Sequence, residues 1–363
     1  MTQESTVYFA SALPGRLDRD QTLPARFNRL LEKLPIEKRV PGKSVVVKMH
    51  FGGGLGYSTI HPLFVKLLVD HIRKGNPRSL TVMDQSVNGA SDRGYTPETI
   101  GAPMGTTLGA DGTKTKLLDS GWKPLGRVPV GKPVLDADVL INFSHVKGHG
   151  ACGFGGACKN LAMGCTPGSA RRQMHALEGR LKWSKARCIR CHKCIEECPT
   201  GASSFNKNGE FDIFWHNCRM CMHCMLICPA GAIKIARQRF DKFQEGLARV
   251  SKLMLDSFEP ANVFHINVLT DITIFCDCWG MTTPALVPDI GIMGGTDIVA
   301  VDRASLDAIK VKDLIPGSIT PPYKLGKGKH LFERLHHKDP YAQIAAMERL
   351  GLGVSKYKQV AIR

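Results

Sequence analysis

The sequence lacks any long apolar run. No stretch of about eighteen consecutive apolar residues occurs among its 363 residues, whereas a helix that crosses a bilayer needs about twenty. We therefore expect no membrane span. Residues 1–20 also lack the basic stretch followed by an apolar stretch that marks a secretory signal. These two absences together predict a cytoplasmic protein.

Acidic residues are also few, since 49 lysines and arginines face 32 aspartates and glutamates, for a formal net charge of +17. The basic residues are spread along the chain without a polybasic tract, and the aromatic residues do not alternate with them. This distribution argues against nucleic acid as a partner. It matches an acidic partner protein or an anionic small-molecule substrate better.

Cysteines, in contrast, are abundant: the chain has thirteen. A cytoplasmic chain uses so many cysteines for metal or redox chemistry rather than for disulfides. Eight of them lie in two runs, CIRCHKCIEECPTGA at 188–202 and CRMCMHCMLICPAGA at 218–232. The runs align at an offset of thirty residues (218 − 188 = 30) with every cysteine in register. They are an internal repeat of the pattern C-x2-C-x2-C-x3-C-P.

This spacing predicts two [4Fe–4S] clusters. In each run three cysteines wrap around one cluster, and the fourth points away and binds the other cluster. Zinc ribbons use two separated C-x2-C pairs instead, so they do not match the pattern. The expected ligands are Cys188, Cys191, Cys194 and Cys228 for the first cluster, and Cys218, Cys221, Cys224 and Cys198 for the second.

Segments on both sides of this repeat alternate between strand and helix. We predict strands over 44–50, 79–84, 137–143, 261–273 and 357–362, helices over 61–75 and 339–353, and a strand followed by a helix over 297–310. Asp302 is expected to cap the last of these helices. The alternation is typical of a doubly wound, Rossmann-like α/β fold. We expect a discontinuous host domain, residues 1–179 and 240–363, with an α+β dicluster ferredoxin domain inserted at 180–239.

A run of glycines, Gly52–Gly54 with Gly56, follows the first of the predicted strands. Backbone N–H groups at the start of a helix can hold a phosphate, so a dinucleotide or a flavin is one interpretation. The run is not G-x-G-x-x-G, and no acidic residue lies at the distance that dinucleotide binding requires. The favoured interpretation is a tight turn near the edge of the sheet.

Three segments place reactive side chains after predicted strands, and parallel strands bring their carboxyl ends to one edge of a sheet. They are VKMH at 47–50, SHVKGHGACGFGGACKN at 144–160 and FCDCWG at 275–280. We expect them to form a pocket in which lysines and histidines neutralise an anionic substrate or donate protons. The candidate catalytic residues are Lys48, His50, His145, Lys147, His149 and Lys159.

The host cysteines allow two interpretations. Cys276 and Cys278 could form an additional metal or thiolate site, but cysteines two apart on a strand also face the same side and simply pack. Three others are either further ligands or small buried side chains, namely Cys152, Cys158 and Cys165.

Taken together, these motifs resemble the domain-of-unknown-function 362 family. The resemblance rests on VKMHFG at 47–52, HVKGHGACGFGGACKNLAMGC at 145–165, CDCWG at 276–280 and VPDIGIMGGTDIVAVDRASLD at 287–307, together with the cysteine repeat. It covers roughly residues 5–360 and points to the branch that carries a bacterial-type ferredoxin insert. The resemblance implies an α/β host with an iron–sulfur insert and leaves the reaction open.

The leading hypothesis is an iron–sulfur oxidoreductase whose two clusters deliver single electrons to a site in the host domain, where a low-potential reduction takes place. The basic residues of the insert either compensate the negative charge of the clusters or form a docking face for an acidic redox protein that supplies the electrons. Two alternatives stay open. The chain could be a ferredoxin-type electron carrier with the host domain as a docking platform, or a scaffold for the maturation of a metal cofactor.

Overall fold

The computed structural model describes residues 4–54, 56–178, 180–198, 201–214, 218, 223–236, 240–280, 282–320 and 323–363. Cys221, one of the expected cluster ligands, lies outside these residues.

Strands occur along the whole described chain. They are β1 (Ser5–Ser11), β2 (Ser44–Lys48), β3 (Ser79–Asp84), β4 (Met104–Thr106), β5 (Thr115–Asp119), β6 (Arg127–Gly131), β7 (Val139–His145), β8 (Lys147–His149), β9 (Gly153–Gly155), β10 (Arg180–Trp183), β11 (Ser203–Phe205), β12 (Phe211–Ile213), β13 (Ile233–Ala236), β14 (Val263–Leu269), β15 (Gly291–Gly295) and β16 (Tyr357–Ala361).

The α-helices lie between these strands. They are α1 (Leu23–Lys33), α2 (Ile36–Arg39), α3 (Pro62–Lys74), α4 (Pro97–Ile100), α5 (Lys132–Leu135), α6 (Ala157–Gly164), α7 (Gly168–His175), α8 (Lys193–Glu196), α9 (His223–Leu226), α10 (Phe240–Leu255), α11 (Ile298–Ala308), α12 (Leu331–His336) and α13 (Tyr341–Arg349). Within the described ranges, no helix has both the length and the apolar character needed to cross a bilayer.

Eight strands form one large sheet in the order β16-β1-β15-β14-β7-β2-β3-β4. Neighbouring strands are parallel except at β15, which runs antiparallel to both β1 and β14. The protein is therefore a mixed α/β structure with a mostly parallel sheet. The carboxyl ends of β2, β3, β7 and β14 lie at the same edge of that sheet, because these four strands are mutually parallel.

Helices cover both faces of the sheet. On one face α1 and α3 pack over the strands, and Phe27 of α1 stacks on Phe143 of β7 with ring centroids 6.0 Å apart. On the other face lie α6, α10, α11 and α13. Along β2, Val45 and Val47 point into the first core and Val46 into the second. A strand buried on both faces explains the continuous apolar run at 45–47, and each such valine stabilises the fold by about 1.5–3 kcal/mol.

Most predicted elements are present, with their ends shifted by a few residues, but the prediction for 297–310 is wrong. The strand in this region is β15, which ends at Gly295. Asp297 then accepts hydrogen bonds from the backbone N–H groups of Val299 and Ala300, so α11 begins immediately. Asp302 consequently lies inside α11 and does not cap that helix.

Residues 180–236 form small elements of their own. β10 pairs antiparallel with β13, so the two ends of this segment are neighbours, and β11 pairs with β12. α8 and α9 each carry the third cysteine of one run, Cys194 and Cys224, and both side chains are buried in a small apolar cluster with Phe211 and Ile213. The domain limits 180 and 239 stay a prediction.

Candidate functional site

A cavity of about 320 Å³ opens at the carboxyl ends of β2, β3 and β7, the edge where parallel α/β sheets bind ligands. The lining brings together six side chains from all three predicted segments, namely Lys48, His50, His145, Lys159, Cys276 and Cys278. The other two candidate residues, Lys147 and His149, are fully buried and are not part of the lining. Strand ends that are far apart in the sequence therefore share one cavity.

One wall of the cavity is organised by Asp84, the last residue of β3. Its carboxylate accepts hydrogen bonds from Lys48 Nζ at 3.1 Å and from the backbone N–H of Phe51 at 3.1 Å, and it lies 2.7 Å from His50 Nδ1. Burial raises the pKa of Asp84, but the charges of Lys48 and His50 outweigh it and hold that pKa well below its usual range. Asp84 is therefore a buried anion that fixes both cations.

His50 lines the cavity, and only one of its two ring nitrogens faces Asp84. Burial lowers the pKa of His50, but the neighbouring Asp84 carboxylate outweighs this effect and the pKa is raised overall. Within the described part of the chain, His50 Nε2 is buried and has no hydrogen-bond partner. Because Nδ1 faces Asp84, Nε2 is the nitrogen that can donate a proton to a molecule in the cavity.

A second buried aspartate, Asp277, repeats this arrangement with His145, the last residue of β7, and with Lys147. Its two carboxylate oxygens lie 2.8 Å from His145 Nδ1 and 2.8 Å from Lys147 Nζ. Burial raises the pKa of Asp277, but His145 and Lys147 outweigh it, so the pKa is lowered overall. Lys147 also donates to the backbone carbonyl and the hydroxyl of Ser58. Lys147 is therefore fixed outside the cavity lining, and its ion pair holds the Asp277 carboxylate in position.

Cys276 and Cys278 lie in a tight turn rather than on a strand, because residues Asp277–Trp279 form one turn of 3-10 helix. The two sulfur atoms are 2.6 Å apart, and Lys159 Nζ lies 3.2 Å from Cys276 Sγ and 3.7 Å from Cys278 Sγ. A hydrogen bond from Cys278 and the Lys159 charge hold the pKa of Cys276 well below that of a free thiol. The pair thus favours one thiolate, which Lys159 neutralises.

A ring nitrogen of His149 lies close to this pair, within 4.8 Å of both sulfur atoms. His149 Nδ1 accepts a hydrogen bond from the backbone N–H of Ala151 and lies 3.2 Å from Cys152 Sγ. One histidine and two cysteines at this spacing could hold a metal ion.

The glycine run at 52–54 packs directly against the C-D-C-W-G turn. A Cβ atom on Gly54 would lie 2.5 Å from the backbone oxygen of Gly280, and one on Gly280 would lie 2.9 Å from Gly54 Cα. Both residues have positive φ, +48° and +66°. Glycine is needed here because two backbones touch, and the contact lies next to Gly53, which lines the cavity.

Asp302 does not line the cavity but holds the start of α6 in place. Its carboxylate accepts hydrogen bonds from the backbone N–H groups of Ala157 at 2.7 Å and Cys158 at 3.0 Å, the first residues of α6. It also accepts from Asn267 Nδ2 at 2.8 Å. Asp302 therefore caps α6, which carries Lys159, although it was expected to cap its own helix.

The remaining host cysteines, Cys152, Cys158 and Cys165, are fully buried and do not line the cavity. Burial raises the pKa of each, for Cys165 to about 12. Such thiols are unreactive.

Four cysteines of the 180–236 segment line a second cavity, and they are the set expected for the first cluster, Cys188, Cys191, Cys194 and Cys228. The other described cysteines of the repeat, Cys198, Cys218 and Cys224, lie in the apolar cluster of the segment. The backbone N–H of Ala202 donates to Cys198 Sγ at 3.1 Å, and that of Ala232 donates to Cys228 Sγ at 3.3 Å. The sequence repeat is thus also a repeat of hydrogen bonds.

Two contacts join this segment to the cavity of the host. The ring of Phe214 packs edge-to-face on Trp279, with centroids 5.4 Å apart, and Trp279 directly follows Cys278. Lys338 Nζ donates to the backbone carbonyls of Cys218, at 2.7 Å, and of Gly150. The second run of cysteines therefore adjoins the loop that carries His149.

Sequence reasoning missed Asp84, Arg171 and Lys338. Asp84 carries a weak signal, as an aspartate at the end of a predicted strand. Arg171 of α7 adds a positive charge to the cavity lining, and nothing in its local sequence distinguishes it. Lys338 acts through two carbonyl groups far away in the chain.

Known proteins resemble this chain both over most of its length and, separately, over its cysteine-rich segment. A family model described as "Domain of unknown function (DUF362)" matches residues 45–307, which is more than half of the chain (307 − 45 + 1 = 263 residues). Pyruvate synthase subunit PorD of Methanocaldococcus jannaschii is 38% identical over 52 residues, 14% of this chain and 60% of that protein. A ferredoxin of Pyrobaculum islandicum is 33% identical over 51 residues, 14% of this chain and 48% of that protein.

A third relative, NADH-quinone oxidoreductase subunit I 2 of Geobacter metallireducens, is 32% identical over 79 residues, 19% of this chain and 59% of that protein. The chain thus spans 48% to 60% of the length of these relatives. Together with the cysteine repeat, they identify an iron–sulfur, ferredoxin-like segment with an electron-transfer character.

Among solved structures, the lactate racemase apoprotein from Thermoanaerobacterium thermosaccharolyticum has a TM-score of 0.36 and 12% identity, covering 82% of this chain and 57% of that chain. A protein from Thermotoga maritima has a TM-score of 0.35 and 11% identity, covering 70% of this chain and 52% of that chain. Likenesses at this level carry no argument about activity.

Proposed function

The chain belongs to the DUF362 family, and from this premise we propose that it is an iron–sulfur reductase. Residues 180–239 hold two [4Fe–4S] clusters as a dicluster ferredoxin domain, and the doubly wound host domain, residues 1–179 and 240–363, binds and reduces an anionic small molecule. The observation that carries the proposal is the position of the host cavity. The turn with Cys276 and Cys278 lines this cavity, and Trp279 of the same turn contacts Phe214 of the cysteine-bearing segment.

The cysteines of the segment fit the two clusters. Four thiolates around one cavity are the ligand set that a [4Fe–4S] cluster requires, and the repeat supplies a second set. The N–H groups of Ala202 and Ala232 donate to the fourth cysteine of each run, and such donors stabilise thiolates. When bound, the clusters supply single electrons at low potential.

The two ends of the segment differ in their surroundings. Lys338 ties Cys218 to the host loop at Gly150, which places the second cysteine run on the cavity side. Cys191 is exposed, and the chain around it carries the exposed basic side chains of Arg187, Arg190 and Lys193. We infer that an acidic redox protein docks at this exposed, basic end.

The cavity supplies what an anionic substrate needs. Arg171 places positive charge in its lining, while Lys159 faces the Cys276 sulfur and Asp84 is already neutralised by Lys48. His50 Nε2 is buried, unpaired within the described residues and held in place through Nδ1. We assign Arg171 to anion binding and His50 to proton donation.

Anaerobically purified protein tests the clusters first. Two clusters predict about eight irons and eight acid-labile sulfides per chain, and reduced protein should give the paramagnetic resonance of [4Fe–4S] centres. Cys194→Ser and Cys224→Ser should each remove about half of the iron. A count near four irons, or stoichiometric zinc in place of iron, would contradict the cluster assignment.

A ligand screen then tests the cavity. A panel of anionic small molecules is assayed for stabilisation of the wild type and for oxidation of the reduced clusters. Arg171→Gln and His50→Gln should abolish both effects for a cavity ligand, while the exposed His61→Gln, the matched control outside the cavity, should not. If no panel member oxidises the clusters, yet an acidic redox protein does so equally in wild type and Arg171→Gln, the chain is an electron carrier.

A further inference from the structure

The closely spaced sulfur pair at the cavity has no role in anion binding or proton donation. We propose, building on the proposed function, that Cys276 and Cys278 are a redox-active dithiol that reduces an anionic disulfide bound in the cavity. The substrate class is therefore a small molecule with an S–S bond and carboxylate, sulfonate or phosphate groups.

The geometry of the pair suits reversible disulfide formation. The sulfur atoms are 2.6 Å apart, and a disulfide bond is about 2.05 Å long, so a small rotation of the side chains closes the bond. The 3-10 turn at Asp277–Trp279 places both sulfur atoms on the same side. Cys276 is buried and Cys278 is exposed, so Cys278 is the sulfur that a substrate reaches more easily.

Lys159 favours thiol chemistry over metal binding at this pair. Its ammonium group donates to Cys276 Sγ and lies 3.7 Å from Cys278 Sγ. Lys159 is buried, and a buried ammonium stabilises a neighbouring thiolate strongly. A metal ion held by Cys276, Cys278 and His149 would have to displace this cation and would be repelled by it. The lysine thus already supplies the charge that a metal would bring.

The cavity determines the charge of the substrate. Both sulfur atoms line the same cavity as Arg171 and His50, so a molecule that reaches Cys278 also meets these cations. An anionic disulfide is therefore bound with its S–S bond near the exposed sulfur and its charged groups near the basic side chains.

The reaction balances in three steps. Cys278 passes its thiol proton to the Cys276 thiolate and attacks the substrate S–S bond, so that a Cys278 mixed disulfide forms and the first substrate thiol leaves with a proton from the cavity. Cys276 then gives up its proton and attacks Cys278 Sγ, so that the Cys276–Cys278 disulfide forms and the second substrate sulfur leaves with that proton as a thiol. Two electrons, which the proposed function supplies, and one proton then restore the Cys278 thiol and the Cys276 thiolate.

Peptide mass spectrometry detects the Cys276–Cys278 disulfide without an activity assay. Trypsin releases residues 253–303, which contain Cys276 and Cys278 and no other cysteine. Reduced full-length protein is treated with glutathione disulfide, an anionic probe, quenched with acid and alkylated. We expect the peptide to lose the mass of two hydrogens and take no alkyl group, and Cys276→Ser to trap a glutathione adduct on Cys278. Two free thiols after treatment, or stoichiometric metal lost in Cys276→Ser, would overturn the proposal.

Turnover separates this proposal from the proposed function. With a one-electron donor such as reduced methyl viologen, Cys278→Ser should lose at least about 100-fold in glutathione disulfide reduction while its clusters are still reduced, a loss of about 2.7 kcal/mol in transition-state stabilisation. The buried Cys165→Ala is the matched control and should keep the wild-type rate. Wild-type protein whose clusters are reduced but do not reduce the disulfide would overturn the dithiol alone. Failure to reduce any cluster would overturn the proposed function.

Discussion

Trp279 and Phe214 pack edge-to-face, with their ring centroids 5.4 Å apart. Trp279 belongs to the turn with Cys276 and Cys278, and Phe214 belongs to the segment with the cysteine repeat, so this contact is an aromatic link between the two. Phe275 continues the contact, with its ring centroid 4.5 Å from that of Trp279.

Removal of the Trp279 ring should slow electron delivery to the cavity. Trp279→Leu deletes the contact with Phe214, and we expect oxidation of the reduced clusters by a cavity ligand to slow about tenfold, or about 1.4 kcal/mol in barrier. Stopped-flow absorbance of the clusters measures the rate. Trp122→Leu is the matched control, because Trp122 contacts Arg249 outside the cavity lining. Equal rates in both variants would show that electrons take another route.

The pH dependence of turnover should follow His50. Its pKa is raised because Asp84 outweighs burial, so the proton that it donates is present below that pKa, and activity should fall as pH rises through it. His50→Gln should remove this descending limb. Asp84→Asn should move the limb to lower pH, since the stabilising charge is lost. A limb that persists unchanged in His50→Gln would identify another donor.

Asp84→Asn should also destabilise the fold. The variant leaves Lys48, which is fully buried, without its carboxylate, and loss of one partner of a buried ion pair costs about 3–5 kcal/mol. Urea unfolding measures the change. Asp138→Asn is a suitable comparison, because the ion pair of Asp138 with Arg78 is largely exposed and should contribute less than about 1 kcal/mol.

The stability of the sheet should depend on pH through His265 in β14. Burial lowers the pKa of His265 to about 3, below its value of about 6.5 in the unfolded chain. The folded state therefore binds fewer protons than the unfolded state near His265. The contribution of this residue to the free energy of unfolding is fully present above about pH 6.5 and is lost as pH falls toward 3. At about pH 5 the loss is roughly 2 kcal/mol.

Urea unfolding of wild type and His265→Gln at about pH 8 and about pH 5 tests this effect. Glutamine does not titrate but can still accept the hydrogen bond from Asn142. The variant should therefore lose less stability between the two pH values than the wild type. Parallel losses in both proteins would assign the pH effect to other groups, such as the cluster cysteines.

Loss of the Asp302 carboxylate, which caps α6, should lower the free energy of unfolding by the contribution of several hydrogen bonds. Asp302→Ala leaves the N–H groups of Ala157 and Cys158 without their acceptor and removes one of the two acceptors of Asn267 Nδ2, the other being the Ser305 hydroxyl. Each buried donor left unpaired costs about 1–3 kcal/mol, so we expect a loss of about 3 kcal/mol or more. The exposed Asp289→Ala, which removes one surface hydrogen bond to Asp271, should lose less than about 1 kcal/mol.

The sequence predicts the site residues that lie at strand ends. It does not predict the side-chain pairings between residues on different strands or helices. Lys48, His50 and His145 were found because each follows an apolar run, and parallel strands gather such residues at one edge. Asp84 follows a run as well, but its pairing with Lys48 depends on β2 and β3 being neighbours. Strand order is a property of the whole chain, so local patterns do not reveal it.

The turn of Cys276 and Cys278 shows a second limit. A C-x-C pair after a strand is equally compatible with an extended chain, on which both sulfur atoms merely pack. The tight turn depends on Gly280, whose positive φ ends it, and on its contact with Gly54. Asp302 is a similar case, because its carboxylate caps a helix 145 residues away in the chain.

The contact between Gly54 and Gly280 has a consequence for the comparison of related sequences. Each position excludes a side chain because of the other's backbone, so a larger residue at one glycine cannot be offset by a smaller residue at the other. The two positions, 226 residues apart (280 − 54 = 226), are thus inherited together or lost together. A relative that retains both glycines keeps this close backbone contact beside the cavity, and a relative that lacks either has rebuilt it.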